Sequence, residues 1–200
     1  MILYVNAYSY TSRRCVAVAK HLGLDVEIRE VDLGAGEHHA PDFAAMNPNR
    51  KVPVLVDGDL VLWESMAIVT YLSDQRPGEL VPQTAAGRAD VLRWQAWMLS
   101  RFNAASAVFL TENLVKPFFG LGDPDTEKLD ATRPEVLACF DLLEAHLARS
   151  TCLCGEAVTL ADLCLYPTFE HAEAIGLPGT SGHPRLHAWA AQMAGLPAFG

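Results

Sequence analysis

Hydrophobic and polar positions divide the chain into two regions of different period. Ile2–Val5 is a short apolar run that reads as a buried strand, and a polar turn from Asn6 to Ser12 follows it. Arg13 to Leu22 has helical spacing, with Val16, Ala17 and Ala19 facing inward, and Gly23 ends it. From Val26 to Val31 the chain alternates, Val26, Ile28 and Glu30 against Glu27, Arg29 and Val31, which predicts a second strand. Gly34 to His39 reads as loop, and Pro41-Asp42 opens a short helix that runs to Met46. Val54–Val56 is a β-branched strand, Asp57-Gly58 a two-residue hairpin signal, and Leu60–Trp63 the return strand. Glu64-Ser65 then starts a helix with Ile68, Val69 and Leu72 on its apolar side.

Two strands joined through a helix should pair in parallel, and the hairpin adds antiparallel strands. That order is a thioredoxin-like α/β unit ending near Asp74. From Gln75 to Gly87 the composition breaks, with Arg76-Pro77-Gly78 and Val81-Pro82-Gln83. Beyond it every periodic segment is helical. Val91, Trp94 or Gln95, Met98, Phe102, Ala105 and Phe109 keep a heptad-like stripe until Pro117 and the Gly120–Pro124 stretch interrupt it. Val136, Phe140, Leu143 and Leu147 mark a second long helix. A third begins near Leu160 and must kink or shorten at Pro167. Leu186, Trp189 and Met193 mark a last one after His183-Pro184. The expected organisation is an α/β unit over residues 1–76, a linker over 77–87 and an all-helical domain over 88–200. Thr159-Leu160-Ala161-Asp162 has the pattern of a capping box at the start of the third helix, a folding role.

Composition narrows the function classes. The 200 residues are 50% hydrophobic and 20% charged, enough for a sizeable core. A net charge of −9 without a basic stripe argues against nucleic acid as a partner. No apolar run has the length of a membrane span, and Met1–Asn6 reads as a strand, not a leader. Five scattered cysteines, Cys15, Cys139, Cys152, Cys154 and Cys164, fit reduced thiols and a cytoplasmic location. Cys152-Leu153-Cys154 lacks metal-ligand spacing, so no metal is expected.

The candidate chemistry concentrates between Asn47 and Ser65. Pro53 precedes a strand, where proline is tolerated only at the start or a bulge. A cis Val52-Pro53 bond would turn the Val52 N–H and C=O outward, free to pair with an extended peptide. Glu64-Ser65 offers a carboxylate, a hydroxyl and free N–H groups at a helix start, which suits a ligand bearing both an amine and a carboxylate. As an isolated pair it is also an ordinary N-cap. The whole block, Asn-Pro-Asn-x-Lys-Val-Pro-Val-Leu-x-Asp-Gly-Asp-x-x-Leu-x-Glu-Ser, resembles the glutathione-binding block of the cytosolic glutathione transferase superfamily. The resemblance spans essentially the whole chain. It implies a cis proline at Pro53, Val52 pairing with the cysteinyl backbone of glutathione, Glu64 and Ser65 holding the γ-glutamyl group, and Lys51 reaching the glycyl carboxylate. It also implies glutathione as co-substrate, a homodimer and a role in detoxification.

Glutathione supplies the nucleophile, so the protein needs a donor aimed at the sulfur to stabilise its thiolate. The turn after the first strand, Tyr8-Ser9-Tyr10-Thr11-Ser12-Arg13-Arg14, is full of hydroxyls. Ser9 lies four residues before Arg13 and is similar to the catalytic serine of serine-type, bacterial-like members. Ser12 is an alternative and also a helix N-cap candidate. Tyr8, Tyr10, Thr11 and the backbone N–H groups are further alternatives, and Tyr10 is also a pocket-wall candidate. Tyr4 lies within the strand, outside the tyrosine-type pattern. No cysteine occupies the turn, which argues against the cysteine-type members.

Arg13, Arg14, Arg50 and Lys51, with His38 or His39, are candidates for drawing in the two carboxylates of glutathione, or are plain surface charges. Arg50 stands where many members of the family have glycine. The apolar electrophile is expected between the hydroxyl-rich turn and the long helix, with Tyr10, Met98, Arg101, Phe102, Ala105 and Phe109 as candidate walls. Three activities remain open: conjugation of glutathione to an apolar electrophile, glutathione-dependent peroxidase or disulfide reductase activity, and non-enzymatic binding on the same scaffold.

Overall fold

The computed structural model describes residues 1–200. They form two compact units, Met1–Gln83 with Leu196–Gly200, and Thr84–Gly195. The helical unit thus begins within the expected linker: the Thr84 side chain accepts from the Gly87 N–H at 3.1 Å and starts a helix at Ala85. The last five residues group with the α/β unit because Lys20 Nζ donates to the Gly200 carbonyl at 2.8 Å and Ala198 is buried.

In the first unit the order is β1 (Ile2–Val5), α1 (Tyr10–His21), β2 (Glu27–Glu30), a 3-10 turn (Glu37–His39), α2 (Pro41–Met46), β3 (Val54–Asp57), β4 (Leu60–Trp63) and α3 (Ser65–Asp74). The four strands form one sheet in the order β2-β1-β3-β4. β1 and β2 are parallel, and the other pairs are antiparallel, which is the thioredoxin-like arrangement read from the sequence. The hairpin loop lies one residue later than expected. Asp57 still pairs with Leu60, and Gly58 takes the left-handed φ of 57° that a side chain resists.

β2 has no buried face: all four of its residues are exposed, and of the expected alternation only Val31, just past its end, is buried. It is an edge strand, and Glu27, Arg29 and Glu30 keep that edge charged. Helix α1 starts three residues before the expected Arg13, and its inward face carries Cys15, Ala17, Val18 and Ala19, with Val16 only half-buried. Ile68, Val69 and Leu72 of α3 are buried as expected.

In the second unit, α4 (Ala85–Trp97), α5 (Asn103–Leu110) and α6 (Lys116–Phe118) follow one another through two π-helical stretches, Met98–Phe102 and Thr111–Val115. Then come α7 (Thr126–Leu147), α8 (Leu160–Glu170) and α9 (Pro184–Ala194). The α8 helix continues only three residues past Pro167, consistent with the hydrogen bond that proline removes. Phe102, Phe140, Phe169 and Trp189 form an aromatic core with ring centroids 5.0–6.0 Å apart along the chain of contacts. Beneath it the fully buried Asp162 carboxylate accepts four hydrogen bonds. They come from the Thr159 N–H and hydroxyl at 2.9 Å, the Leu153 N–H at 2.9 Å and the Trp189 indole N–H at 3.0 Å. This completes the expected structural role of Thr159 and Asp162.

A second buried carboxylate, Glu112, lies in the second π stretch. It accepts from Lys116, from the Asp125 N–H at 3.1 Å and from Lys128 Nζ at 3.0 Å. The Lys116 hydrogen bond, then Asp125, then Lys128 hold its carboxyl down to about 2. No helix is long and apolar enough to cross a membrane.

Candidate functional site

The turn from β1 into α1 is pinned by Asn6. Its Nδ2 donates to the Val31 carbonyl at 3.1 Å, and its Oδ1 accepts from the Tyr8 N–H at 3.2 Å. Its backbone carbonyl accepts from the Ser9 N–H at 3.0 Å. This geometry gives Ser9 an extended backbone at the head of α1 and makes it the N-cap, its Oγ accepting from the Ser12 N–H at 3.3 Å. Ser12 does not cap the helix. It is buried, and its Oγ accepts from the Asn6 N–H at 3.2 Å on the other side of the turn.

The Ser9 hydroxyl has a second partner. Thr11 Oγ1 lies 2.7 Å from it and also donates to the Val52 carbonyl at 3.4 Å. Tyr10 is half-buried, and burial pushes its phenol above the ordinary value while the Arg14 charge pulls the other way. The Tyr8 side chain is exposed. Tyr4 accepts from Arg29 at 3.1 Å and packs edge-on against Phe43. Cys15 is fully buried, and its one thiol proton is shared between the Thr11 carbonyl at 3.5 Å and the Ser65 carbonyl at 3.8 Å.

The other half of the site hangs from buried Asn47. Its Nδ2 donates to the Lys51 carbonyl at 2.7 Å, and its Oδ1 accepts from the Asn49 N–H at 3.0 Å. The intervening turn keeps a left-handed residue at Arg50, φ 54°, so arginine occupies the conformation that glycine takes without cost. The Val52-Pro53 bond is cis. Val52 is half-buried against the Val31, Phe43 and Val54 cluster, Pro53 is buried, and Lys51 is exposed.

Ser65 is the first residue of α3 and is buried, while Glu64 before it is exposed and sits at φ 71°, ψ 114°. A glutamate in that region is strained. Its side chain does not cap the helix, unlike Ser9 on α1, Thr84 on α4 and Asp125 on α7. The positive end of α3 and the Glu64 carboxylate are therefore both presented without a mutual bond.

Thr11 and Cys15 join these pieces. One residue of α1 reaches Val52, another reaches Ser65, and Ser9 is bonded to the first of them. Sequence reading missed Cys15 as an organiser, since a lone thiol in a helix carries no signal of what lies across from it. The candidate cations do not all remain available. Arg14 is fully buried, its guanidinium carbon 5.6 Å from the Tyr10 ring centroid, and Arg13 donates to the Phe199 carbonyl at 3.4 Å. Arg50 and Lys51 stay exposed. His38 and His39 have ring centroids 3.9 Å apart, and burial first, then His39, lower the His38 imidazole below its ordinary value.

Among the candidate electrophile walls, Met98, Phe102, Ala105 and Phe109 are at most 2% exposed and belong to the packed core of the helical unit. Their even stripe marks the core side of the helix, so they offer an electrophile no surface. Arg101 is exposed. Burial pushes the Cys154 thiol up to about 12 and also raises Cys152 and Cys139.

Two domain families match the chain: "Glutathione S-transferase, N-terminal domain" over residues 1–74 and "Glutathione S-transferase, C-terminal domain" over residues 99–197. Glutathione S-transferase 3 of Zea mays is 36% identical over 98% of this chain and 90% of its own length. The crystal structure of glutathione transferase F7 from Populus trichocarpa superposes with a TM-score of 0.90 at 30% identity, covering 99% of this chain and 95% of that one. The human theta-class glutathione transferase, solved with the glutathione conjugate of 1-menaphthyl sulfate, has a TM-score of 0.88 at 32% identity, covering 96% and 80%.

Proposed function

The chain belongs to the glutathione S-transferase family, and from that premise we propose that it conjugates the glutathione thiolate to an apolar electrophile, with Ser9 as the thiolate's donor. The observation that carries this reading is the hydroxyl chain from Ser9 through Thr11 to the Val52 carbonyl. It ties the proposed thiol end of the site to the backbone that would pair with the cysteinyl residue.

In this mechanism the Glu64 carboxylate takes the γ-glutamyl amine. The Ser65 hydroxyl and the uncapped N–H groups of α3 take its carboxylate. The Val52 N–H and C=O pair with the cysteinyl main chain beside Pro53, and the exposed Lys51 meets the glycyl carboxylate. The thiol loses its proton to solvent. Ser9 Oγ–H and the positive end of α1 stabilise the resulting anion. The sulfur electron pair then forms a carbon–sulfur bond, and the electrophile's leaving group departs with its own pair. Burial of Cys15 supports a serine donor over a cysteine. A cytoplasmic homodimer acting in detoxification belongs to the same proposal.

Titration calorimetry with glutathione tests the reading, together with conjugation of a panel of generic electrophiles. Binding with turnover supports a transferase. Binding without turnover supports a carrier, and no binding by the intact protein overturns both.

A further inference from the structure

We propose that Thr11 is a positioning residue that turns the Ser9 hydroxyl toward the sulfur when a ligand's N–H occupies the Val52 carbonyl. The inference rests on the reading of Ser9 as the thiolate donor and adds a link between substrate capture and donor orientation.

The argument is a proton count. A hydroxyl has one proton to give and two lone pairs to offer. Ser9 Oγ already accepts from the Ser12 N–H at 3.3 Å. Its 2.7 Å contact with Thr11 Oγ1 needs one proton, supplied by either residue. Here Thr11 sends its proton to the Val52 carbonyl, so the short contact consumes the Ser9 proton and leaves none for a sulfur. The weak member is the Thr11–Val52 bond, 3.4 Å long.

A peptide N–H arriving on the second lone pair of the Val52 carbonyl weakens that oxygen as an acceptor for the already long Thr11 bond. Thr11 then rotates its proton onto Ser9 Oγ, where the oxygens are already at strong-bond distance. Ser9 accepts from both the Ser12 N–H and Thr11, and its own proton is released toward the thiolate. No covalent bond changes. Two hydroxyl rotors reverse, and the Val52 carbonyl exchanges Thr11 for the ligand's N–H. Polarisation along the chain also strengthens the last donor.

The test compares Thr11→Val, which keeps the shape and deletes the hydroxyl, with Thr11→Ser, which keeps it. The readouts are the ultraviolet thiolate absorbance of bound glutathione across pH and glutathione affinity by calorimetry. Thr11→Val leaves the Ser9 proton in place but strips it of the polarisation and rotor positioning that Thr11 supplies, so bound thiolate at neutral pH should fall about two- to threefold. Affinity should stay within about threefold, and Thr11→Ser should restore the wild-type titration. In a Ser9→Ala background, adding Thr11→Val should change nothing further. An unchanged titration in Thr11→Val while Ser9→Ala moves it overturns the role of Thr11 and leaves Ser9 standing. An unchanged titration in Ser9→Ala overturns the donor assignment and the inference with it.

Discussion

The Cys15 thiol and the Ser65 carbonyl face each other at 3.8 Å in the interior of the first unit, tying α1 to the first turn of α3. The same sulfur reaches the Thr11 carbonyl at 3.5 Å, so one buried side chain sets the spacing between the two halves of the site. Replacing Cys15 by Ala should lower stability by about 1–2 kcal/mol, measured by urea denaturation, through lost packing. Glutathione affinity should fall with it. Unchanged affinity in a folded Cys15→Ala protein would show that this spacing is set elsewhere.

Ser65 and Ser9 should separate binding from turnover. Ser65→Ala removes the hydroxyl proposed to donate to the γ-glutamyl carboxylate and should weaken glutathione binding by about 10- to 100-fold in calorimetry. Ser9→Ala should reduce kcat by about 100-fold with a smaller change in affinity. The same variant loses the N-cap of α1, so its melting temperature should drop too. Ser9→Gly keeps most of the capping without any side-chain donor and isolates the chemical effect.

Acid stability should report Glu112. Its carboxyl titrates at about 2 in the folded protein against an ordinary 4.5, so the folded state binds fewer protons than the unfolded chain between those values. Its stabilisation is complete above pH 4.5 and is lost as pH falls toward 2. Glu112→Gln should be less stable at neutral pH and lose less on acidification through that window. Urea midpoints at a series of pH values check it, and parallel curves for the two proteins would refute it.

Asp162 makes the steepest structural prediction. Asp162→Ala leaves the Thr159 and Leu153 N–H groups, the Thr159 hydroxyl and the Trp189 indole without their acceptor inside the core. The loss should be at least about 3 kcal/mol. Chemical denaturation measures it, followed by tryptophan fluorescence, since Trp94, Trp97 and Trp189 lie in the helical unit.

Arg50 is a site where a substitution should stabilise. Its φ of 54° costs a side chain about 1 kcal/mol or more, and glycine avoids that cost while gaining unfolded-state entropy. The net gain for Arg50→Gly should be up to about 1 kcal/mol in denaturant titration.

The elements with strong local chemistry were legible in the sequence. The hairpin around Gly58, the start of α3 at Ser65 and the cap formed by Thr159 and Asp162 each depend on neighbours within a few residues. What was hidden depends on orientation. Ser9, Thr11 and Ser12 can all cap a helix, and the choice is made by Asn6, which fixes where the extended backbone ends. The helical stripe through Met98, Phe102 and Ala105 was visible, yet periodicity shows which side packs and not which side borders a ligand. β2 escaped for the opposite reason, since an edge strand need not bury either face.

The left-handed backbone at Glu64 sets two demands that no single residue meets. Glycine alone fits φ 71° freely, and glycine would discard the carboxylate proposed to receive the ligand's amine. Selection for heat resistance and selection for substrate capture therefore pull position 64 in opposite directions. A library screened only for thermal survival should accumulate glycine there, and those survivors should be poor at capturing glutathione.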